Sequence, residues 1–570
     1  MKNVQDILKQ YWGYDSFRPQ QLAVINAVIQ GKDVLTLLPT GAGKSLCFQI
    51  PTLYANGICV VISPLIALMQ DQVKDLKEKQ ISAVALGGQI TEEAQNDILT
   101  DALKGKYQFI YCSPEKLAQK KFQDFLQQIP ITLFAIDEAH CISQWGYDFR
   151  PSYRKVSILK KLFPNIPILA MTASAIPVVQ KDIVNQLAIT NAEIITASFL
   201  RPNLQFIVQQ VPVKLHTLRG ILNETIGAII IYCNTRNNVT QLATLLKAYG
   251  YKVGEYHAGM PIQNRQAVQK NWMNDITPIV VCTSAFGMGI NKGGVRLVVH
   301  YDLPNSLEQY YQEAGRAGRD GKPAQAILLY QKNDWEYWNT IQEKKYPPIE
   351  IIKKVFQDLA DYVQLPVGMG ENQQFPFDFD NFCTRFEWDK IVARNALNWI
   401  QQEGHVVFSA ASFKPSMVQV TADRHSIEEF ERNNAIAGVV LQTLLRTYGG
   451  ILDSPHYISE QLLAELLQRD IAFVVKNLHF LSVHGLISFE QKEQQPVVAF
   501  LWNRSSAAFM KLDIDHYTLM KKAFLERIRH FTNYIKGVGF PCRSMYLAKY
   551  FGENSPTKCE ICDLCTSTKN

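Results

Sequence analysis

No stretch of this sequence approaches the ~18 consecutive apolar residues that cross a bilayer, which excludes a helical membrane protein. The opening, Met1 to Gln21, lacks an apolar core of signal-peptide length. Cysteine is sparse: eleven stand in 570 residues. Most are scattered, which excludes a disulfide framework and points to a reducing, cytoplasmic setting. There is no low-complexity tract and no short repeat. Charge of one sign is not in great excess either. The net charge of +6 permits a polyanionic partner without demanding one.

What is there is an ordinary globular composition, 47% hydrophobic and 19% charged. The length allows roughly three to four domains of about 150 residues. Up to Lys345, short apolar strands alternate with helical patterns, the signature of parallel α/β sheets. The pattern predicts strands over 33–39, 58–63, 108–112, 132–137 and 168–172. After a break near 198–203 it restarts, with strands over 228–233, 252–256, 278–282, 295–300 and 324–330. Two tandem α/β domains, 1–203 and 204–345, with a cleft between them, are the economical reading. After Lys345-Tyr346-Pro347-Pro348 helices dominate. Helical patterns over 388–402 and 469–484 are each followed by two short β runs, 405–409 with 417–421 and 486–490 with 496–501. Helices followed by a two-stranded wing describe a winged helix-turn-helix across 346–515. Small α/β packing modules without nucleic-acid contact are the alternative. A helical segment, 516–570, closes the chain.

The strand over 33–38 runs into Pro39-Thr40-Gly41-Ala42-Gly43-Lys44-Ser45. Gly41 and Gly43, with Thr40 and Ala42 beside them, let backbone N–H groups turn inward around phosphates at a helix N-terminus. Lys44 is placed to reach the β- and γ-phosphates of a nucleotide and Ser45 to ligate Mg²⁺. The plain alternative is a glycine-rich turn before a structural helix. Asp137 closes its strand at the edge where open α/β sheets bind ligands, so it is a second candidate for Mg²⁺. Glu138 is the candidate base for an attacking water, against the alternative of a solvated acidic pair. In the second domain, Gln312-Glu313-Ala314-Gly315-Arg316-Ala317-Gly318-Arg319 sets two arginines three apart on one helix face. Arg319 is the candidate finger on the γ-phosphate, Arg316 a phosphate contact and Gln312 a neighbour of the water. A solvated basic face is the alternative.

Beyond Asp137-Glu138-Ala139-His140, the loop to Pro151 carries Trp145, Tyr147, Phe149 and Arg150. Unpaired bases stack on aromatic faces beside an arginine, so hydrolysis and single-strand contact share one loop. Near the end stand Cys542, Cys559, Cys562 and Cys565. Four thiolates suit a closed, structural zinc site. The spacing of the last three is also similar to part of an iron–sulfur ligand run, and unligated thiols remain a third reading.

In this order the motifs resemble those of superfamily-2 helicases, and among them the RecQ DNA helicases, across roughly 10–335 and again at the C-terminus. The resemblance implies two tandem RecA-like parallel-sheet motor domains, followed here by mainly helical winged-helix-like modules and a C-terminal zinc-binding module. Gly13-Tyr14, Phe17-Arg18-Pro19 and Gln21 look like the family's adenine-reading segment, with Tyr14 stacked on the base and Gln21 bonded to its edge. Leu38 replaces the glycine of the strict phosphate-loop pattern, a departure that helicase-type loops commonly show. Ser63-Pro64-Leu65-Ile66-Ala67 is similar to the DNA-backbone motif, and Thr172-Ala173-Ser174 to the coupling motif. Asn234 and Arg236, Tyr256-His257-Ala258-Gly259 and Ala285-Phe286-Gly287-Met288-Gly289-Ile290-Asn291 fill the corresponding places in the second domain. The segment from Ser143 through Trp145, Phe149 and Arg150 resembles the family's aromatic-rich loop, which related RNA helicases lack. The resemblance thus implies Mg-ATP-driven 3′→5′ translocation on single-stranded DNA, with duplex unwinding in recombination and repair. It implies zinc at the four cysteines, forked or junction DNA, single-strand-binding and repair proteins as partners, and a nucleoid location.

The family's zinc module usually follows the second motor domain at once. Here Lys345 to Cys542 intervenes, so winged-helix-like segments are expected as an insertion before the zinc module. The sequence ends too soon after the cysteines for the helical accessory domain of many members. The family's strand-separating wing residue therefore transfers to no position. Three other readings stay open: a translocase without unwinding, a DNA-binding regulator with a decayed motor, and an RNA helicase. Intact Lys44, Ser45, Asp137, Glu138 and Arg319 weigh against decay.

Overall fold

The structure, a computed structural model, describes residues 3–39, 41–64, 66–87, 92–143, 145, 151–287, 292–409, 416–448, 450–452, 454–490, 496–506 and 509–567. The chain divides into two compact units, Met1–Thr340 with Asp515–Asn570, and Ile341–Ile514.

The first unit holds two parallel sheets. Strands β1 (Val34–Leu37), β2 (Ile58–Ile62), β3 (Ala83–Leu86), β4 (Phe109–Cys112), β5 (Ile131–Ile136), β6 (Ile168–Thr172) and β7 (Glu193–Thr196) lie in the order β3-β4-β2-β5-β6-β1-β7. Every residue of β1, β2, β4 and β6 is buried, as expected of strands covered on both faces by helices. The sequence pattern passes over β3 and β7. β3 offers only Ala-Val-Ala-Leu, and β7 is a mostly exposed edge strand that begins on Glu193. Strands β5, β6 and β1 are neighbours, in a register that sets Leu37 beside Thr172 and Ile136 beside Ala170. The chain leaving each of them therefore emerges at the same sheet edge.

The second sheet comprises β8 (Leu204–Gln210), β9 (Ala228–Tyr232), β10 (Val253–Tyr256), β11 (Ile279–Cys282), β12 (Val295–His300) and β13 (Ala324–Tyr330), ordered β10-β11-β9-β12-β13-β8. β8 is absent from the expected strands because its Gln-interrupted sequence falls just after the break between the domains. It is an edge strand, and the C-terminal module covers it: the carboxylate of Asp563 accepts from the Val208 N–H at 3.1 Å. That module is built on helices Ile514–Lys536, Arg543–Tyr550 and Asp563–Ser567. Among the described residues no helix is long and apolar enough to cross a membrane.

The second unit corrects the expected wings. Its strands are β14 (Gln374–Pro376), β15 (Val406–Ser409), β16 (Met417–Val420), β17 (His456–Tyr457), β18 (Ile487–Glu490) and β19 (Val497–Phe500), in two antiparallel sheets, β14-β19-β15 and β17-β16-β18. β15 pairs with β19, not with β16, and β16 pairs with β18. The two winged modules are therefore nested: 416–490 is inserted between the two wing strands of the module around it. Sequence alternation cannot reveal this, because both arrangements bury alternate residues. Val406, Val498 and Phe500 are buried in the outer sheet, and Val418, Val420 and Ile487 in the inner one. The inner core gathers Leu441, Leu444, Leu463, Val474, Leu478 and Leu481.

Candidate active site and zinc centre

The loop after β1 turns through Gly41 (φ +81°) and Gly43 (φ +76°), a left-handed backbone that glycine adopts without cost. It needs the missing side chains as well. A Cβ on Gly41 would stand 2.7 Å from Cγ of Arg319, and one on Gly43 would stand 2.5 Å from Nε2 of Gln21. Ser45 follows and helix Leu46–Ala55 begins. Lys44 extends back along the loop, its Nζ 3.4 Å from the Leu38 carbonyl oxygen. Thr40 lies outside the described residues.

Gln21, almost fully buried, braces this loop. Its amide donates to the carbonyls of Ala42 (2.8 Å) and Gly43 (3.2 Å), and its oxygen accepts from the Arg18 N–H (2.9 Å). Arg18 in turn donates to the Gly41 carbonyl at 2.7 Å. Both N–H groups of Gln21 are thus used on the protein, leaving one acceptor lone pair for a base edge. Tyr14 presents an open ring face, 58% exposed.

Asp137 stands at the end of β5, 8% exposed. Burial first, then the neighbouring charge of Glu138, holds its carboxyl well above the usual carboxylate range. The backbone of Glu138 is left-handed (φ +48°, ψ +46°), a conformation that costs a non-glycine residue free energy and clusters at functional sites. Nδ1 of His140 lies 3.3 Å from Oε2 of Glu138 and 3.0 Å from the Thr172 hydroxyl. Oγ1 of Thr172 accepts from the Ser174 N–H (3.3 Å), and the Ser174 hydroxyl accepts from the Gln312 amide (2.7 Å). Polar contacts therefore run from the arginine segment of the second domain through Ser174 and Thr172 to His140, which stands beside Glu138 without a hydrogen bond to its Oε2 among the described residues. His140 is a site residue to which its motif alone assigns no role; its place two residues past Glu138 is the one signal in the sequence. Thr172 and Ser174 are fully buried.

Arg316 is buried and donates to the Gly287 carbonyl; its Nε, also buried, has no hydrogen-bond partner among the described residues. Burial beside Arg316 pushes the Arg319 guanidinium down to about 9. Arg201, between the two domains, donates to the carbonyls of Gly315, Ala317 and Gly318, and Asn203 also bonds Gly318. Arg316 and Arg319 line a cleft of about 650 Å³ with Tyr14, Gln21, Lys44, Ser45, Asp137 and Glu138. Two desolvated guanidiniums, one with an unsatisfied donor, beside a glycine cradle and a buried carboxylate fit a polyphosphate carrying a divalent cation.

The strand-contact candidates are placed less uniformly. The Ser63 hydroxyl is buried without a hydrogen-bond partner among the described residues, and Pro64 follows it. Asn234 accepts no such isolation: its N–H donates to Asp302 (2.9 Å) and its amide to the Leu303 carbonyl (2.7 Å). Exposed Arg236 packs on Gly259, where a Cβ would stand 2.8 Å from Nη1. Trp145 is half-buried; its N–H donates to the Ser143 hydroxyl (3.2 Å) and its carbonyl accepts from Arg527 (2.8 Å). No residue pattern signals that contact with the C-terminal module. Tyr147, Phe149 and Arg150, like Met288 to Asn291, lie outside the described residues.

Cys542 caps helix Arg543–Tyr550, and the sulfurs of Cys542, Cys559, Cys562 and Cys565 all lie within 4.8 Å of one another. Cys542 Sγ is 3.4 Å from Cys559 Sγ and 4.0 Å from Cys562 Sγ. Thiolates at ~2.3 Å from a tetrahedral zinc stand about 3.8 Å apart, so the set fits one zinc ion. An iron–sulfur cluster holds its cysteines farther apart, and that alternative falls. Backbone N–H groups of Arg543 and Cys559 point at Cys562 and Cys542 sulfurs. The seven scattered cysteines, Cys47 to Cys383, are buried thiols.

Residues 18–182 match the family described as DEAD/DEAH box helicase, and 213–321 the helicase conserved C-terminal domain. Fold and site together define a superfamily-2 helicase motor. Residues 418–491 match the RecQ helicase winged-helix domain of Bacteroidota and 508–566 the RecQ zinc-binding family. The chain belongs to the RecQ helicase family. The ATP-dependent DNA helicase RecQ of Haemophilus influenzae is 40% identical over 388 residues, 66% of this chain and 63% of that protein. "Probable ATP-dependent DNA helicase RecS" of Bacillus subtilis is 36% identical over 388 residues, 65% of this chain and 78% of that protein. The crystal structure of the DUF1998 helicase MrfA bound to DNA shares the fold, with a TM-score of 0.50 at 16% identity over 71% of this chain and 58% of that one. The chain spans a little over three-fifths of the length of the Haemophilus influenzae and Pasteurella multocida RecQ proteins.

Proposed function

We propose that the protein is an ATP-dependent DNA helicase that translocates 3′→5′ on single-stranded DNA and unwinds duplexes in recombination and repair. The seating of Arg319 against Gly41 carries this reading, because it brings an arginine of one motor domain onto the phosphate loop of the other. ATP lies in the cleft, its base on Tyr14 and within reach of Arg18 and the remaining lone pair of Gln21. The loop from Thr40 to Ser45 cradles the phosphates. Ser45 and Asp137 hold Mg²⁺, which supplies positive charge at the β- and γ-phosphates when bound. Glu138 accepts the proton of the attacking water, and Lys44, Arg316 and Arg319 neutralise the charge that develops. Gln312, Ser174, Thr172 and His140 tell Glu138 whether the second domain is in place.

Ser63, Pro64, Asn234 and Arg236 contact the strand backbone, and Trp145, Phe149 and Arg150 couple that contact to hydrolysis. The four-cysteine zinc is structural. Motor domains over 1–203 and 204–345, the winged insertion over 346–515 and the zinc module over 516–570 divide these tasks. Forked or junction DNA, single-strand-binding and repair proteins, and a cytoplasmic, nucleoid-associated location complete the reading.

Unwinding of 3′- and 5′-tailed duplexes, DNA beside RNA, with Mg-ATP tests it. Separation of the 3′-tailed DNA alone is expected. Brisk hydrolysis without separation would leave a translocase, and no hydrolysis at all would leave a regulator with a decayed motor.

A further inference from the structure

The segment Tyr550-Phe551-Gly552-Glu553, just before the last three cysteines, sits where both motor domains and their crossover meet. The carboxylate of Glu553 accepts from the Ser198 hydroxyl (2.8 Å) and from the Phe199 N–H (2.9 Å), both on the crossover. The ring of Phe551 stacks on Phe199 (centroids 4.7 Å apart, 18° between planes) and packs against Tyr311 (4.9 Å). Tyr550 donates its hydroxyl to Glu308 at 2.8 Å. Glu308 and Tyr311 lie on helix Leu307–Ala314, which leads directly into Arg316 and Arg319. Toward the first domain, Gln180 donates to the Phe551 carbonyl at 3.4 Å. Gly552 lies so close to Pro177 that a Cβ there would stand 2.8 Å from Cγ.

The crossover passes this hold on to the arginines. Tyr311 donates to the Phe199 carbonyl (2.9 Å), and two residues later Arg201 grips the carbonyls of Gly315, Ala317 and Gly318. Hydrogen bonds to a carboxylate are about twice as strong as neutral ones, so Glu553 is a firm anchor at the start of this chain.

We propose that Tyr550-Phe551-Gly552-Glu553 is a positioning segment for hydrolysis, fixing the crossover and, through it, the placement of Arg316 and Arg319 over the phosphate loop. This rests on the helicase reading for its catalytic consequence. None of the four residues touches the cleft, so they act through Phe199, Arg201 and the arginine helix.

The test compares Glu553→Ala, Glu553→Gln and Tyr550→Phe in the full chain by hydrogen exchange, zinc content and steady-state hydrolysis on single-stranded DNA. Exchange in peptides over 196–206 and 311–320 should quicken at least about fivefold, as expected when a tie that holds a segment is cut, with zinc kept at about one per chain. kcat should fall about tenfold in Glu553→Ala with KM for ATP within about twofold, and Glu553→Gln, which keeps one acceptor oxygen, should recover part of the loss. A merely structural loss would lower zinc content and kcat together and would not split kcat from KM. Unchanged exchange over 311–320 with zinc retained would overturn the proposal. If Glu553→Ala sheds its zinc, Tyr550→Phe, which lacks a single hydroxyl, decides by the same exchange criterion. A wild-type protein that hydrolyses no ATP would sink the helicase reading, while the exchange result would still decide the bracing.

Discussion

Gln312 donates its side-chain amide to the hydroxyl of Ser174 at 2.7 Å, and this bond crosses from the second motor domain to the first. Beyond Ser174 the polar contacts run through Thr172 to His140, which stands beside Glu138. Gln312→Ala should cut strand-stimulated hydrolysis about tenfold, the effect of losing one part-buried hydrogen bond of about 1–1.5 kcal/mol. ATP binding should persist. Steady-state hydrolysis with and without single-stranded DNA measures it, and full stimulation in the variant would remove a relay along these contacts.

Lys44→Ala should abolish hydrolysis while leaving strand binding largely intact, because Lys44 lines the nucleotide cleft. Turnover assays beside anisotropy of a labelled oligonucleotide check both halves. Normal turnover would refute the phosphate-loop assignment.

Trp145 is tied to the zinc module through Arg527. Trp145→Ala should uncouple hydrolysis from DNA, and Arg527→Ala should reproduce part of that loss at normal zinc content. A reduction of roughly fivefold or more in DNA stimulation is expected when a charged hydrogen bond is removed. Undiminished stimulation in both variants would separate this loop from coupling.

The Asp137 carboxyl is raised by burial and by Glu138, so the folded chain holds its proton at pH values where the unfolded chain has lost it. Stability therefore falls as pH rises from about 4 toward the folded value. Asp137→Asn has no charge to bury. Without nucleotide or added Mg²⁺ it should melt about 1–3 °C higher at pH 8, and the advantage should vanish as pH falls toward 4. Hydrolysis should be lost. A melting point equal to or below wild type at pH 8 contradicts the desolvation argument.

Replacing Cys562 by Ser should release zinc and destabilise the C-terminal module, since site formation and folding are coupled. Elemental analysis should find about one zinc per wild-type chain and none in the variant. Iron in place of zinc would overturn the assignment.

Much of this architecture was legible in the residues themselves. Buried strands such as Ile-Cys-Val-Val-Ile of β2 announce a sheet covered on both faces, and Gly41, Gly43 and Lys44 announce a phosphate loop wherever a strand precedes them. What stayed hidden depends on distant partners. β7 and β8 are edge strands whose pairing, not their composition, makes them strands. The resemblance sets Gln21 at a base edge, and only the fold shows that its amide also braces Ala42 and Gly43. Asp563 and Arg527 carry no motif at all; only the packing of the zinc module gives them work. Nested wings were beyond reach because β15 and β16 bury alternate residues equally well in either pairing.

That nesting has a consequence for how the molecule could have been assembled. Ser409, where the chain departs from the outer sheet, is the ladder partner of Val497, where it returns. The exit and the entry are adjacent, so a tight two-residue turn could close the outer wing in place of everything between. The inner module is thus a cassette. It could be gained, lost or exchanged between lineages without disturbing the register of the host sheet, leaving the motor's chemistry unaltered while the surface offered to partners changes.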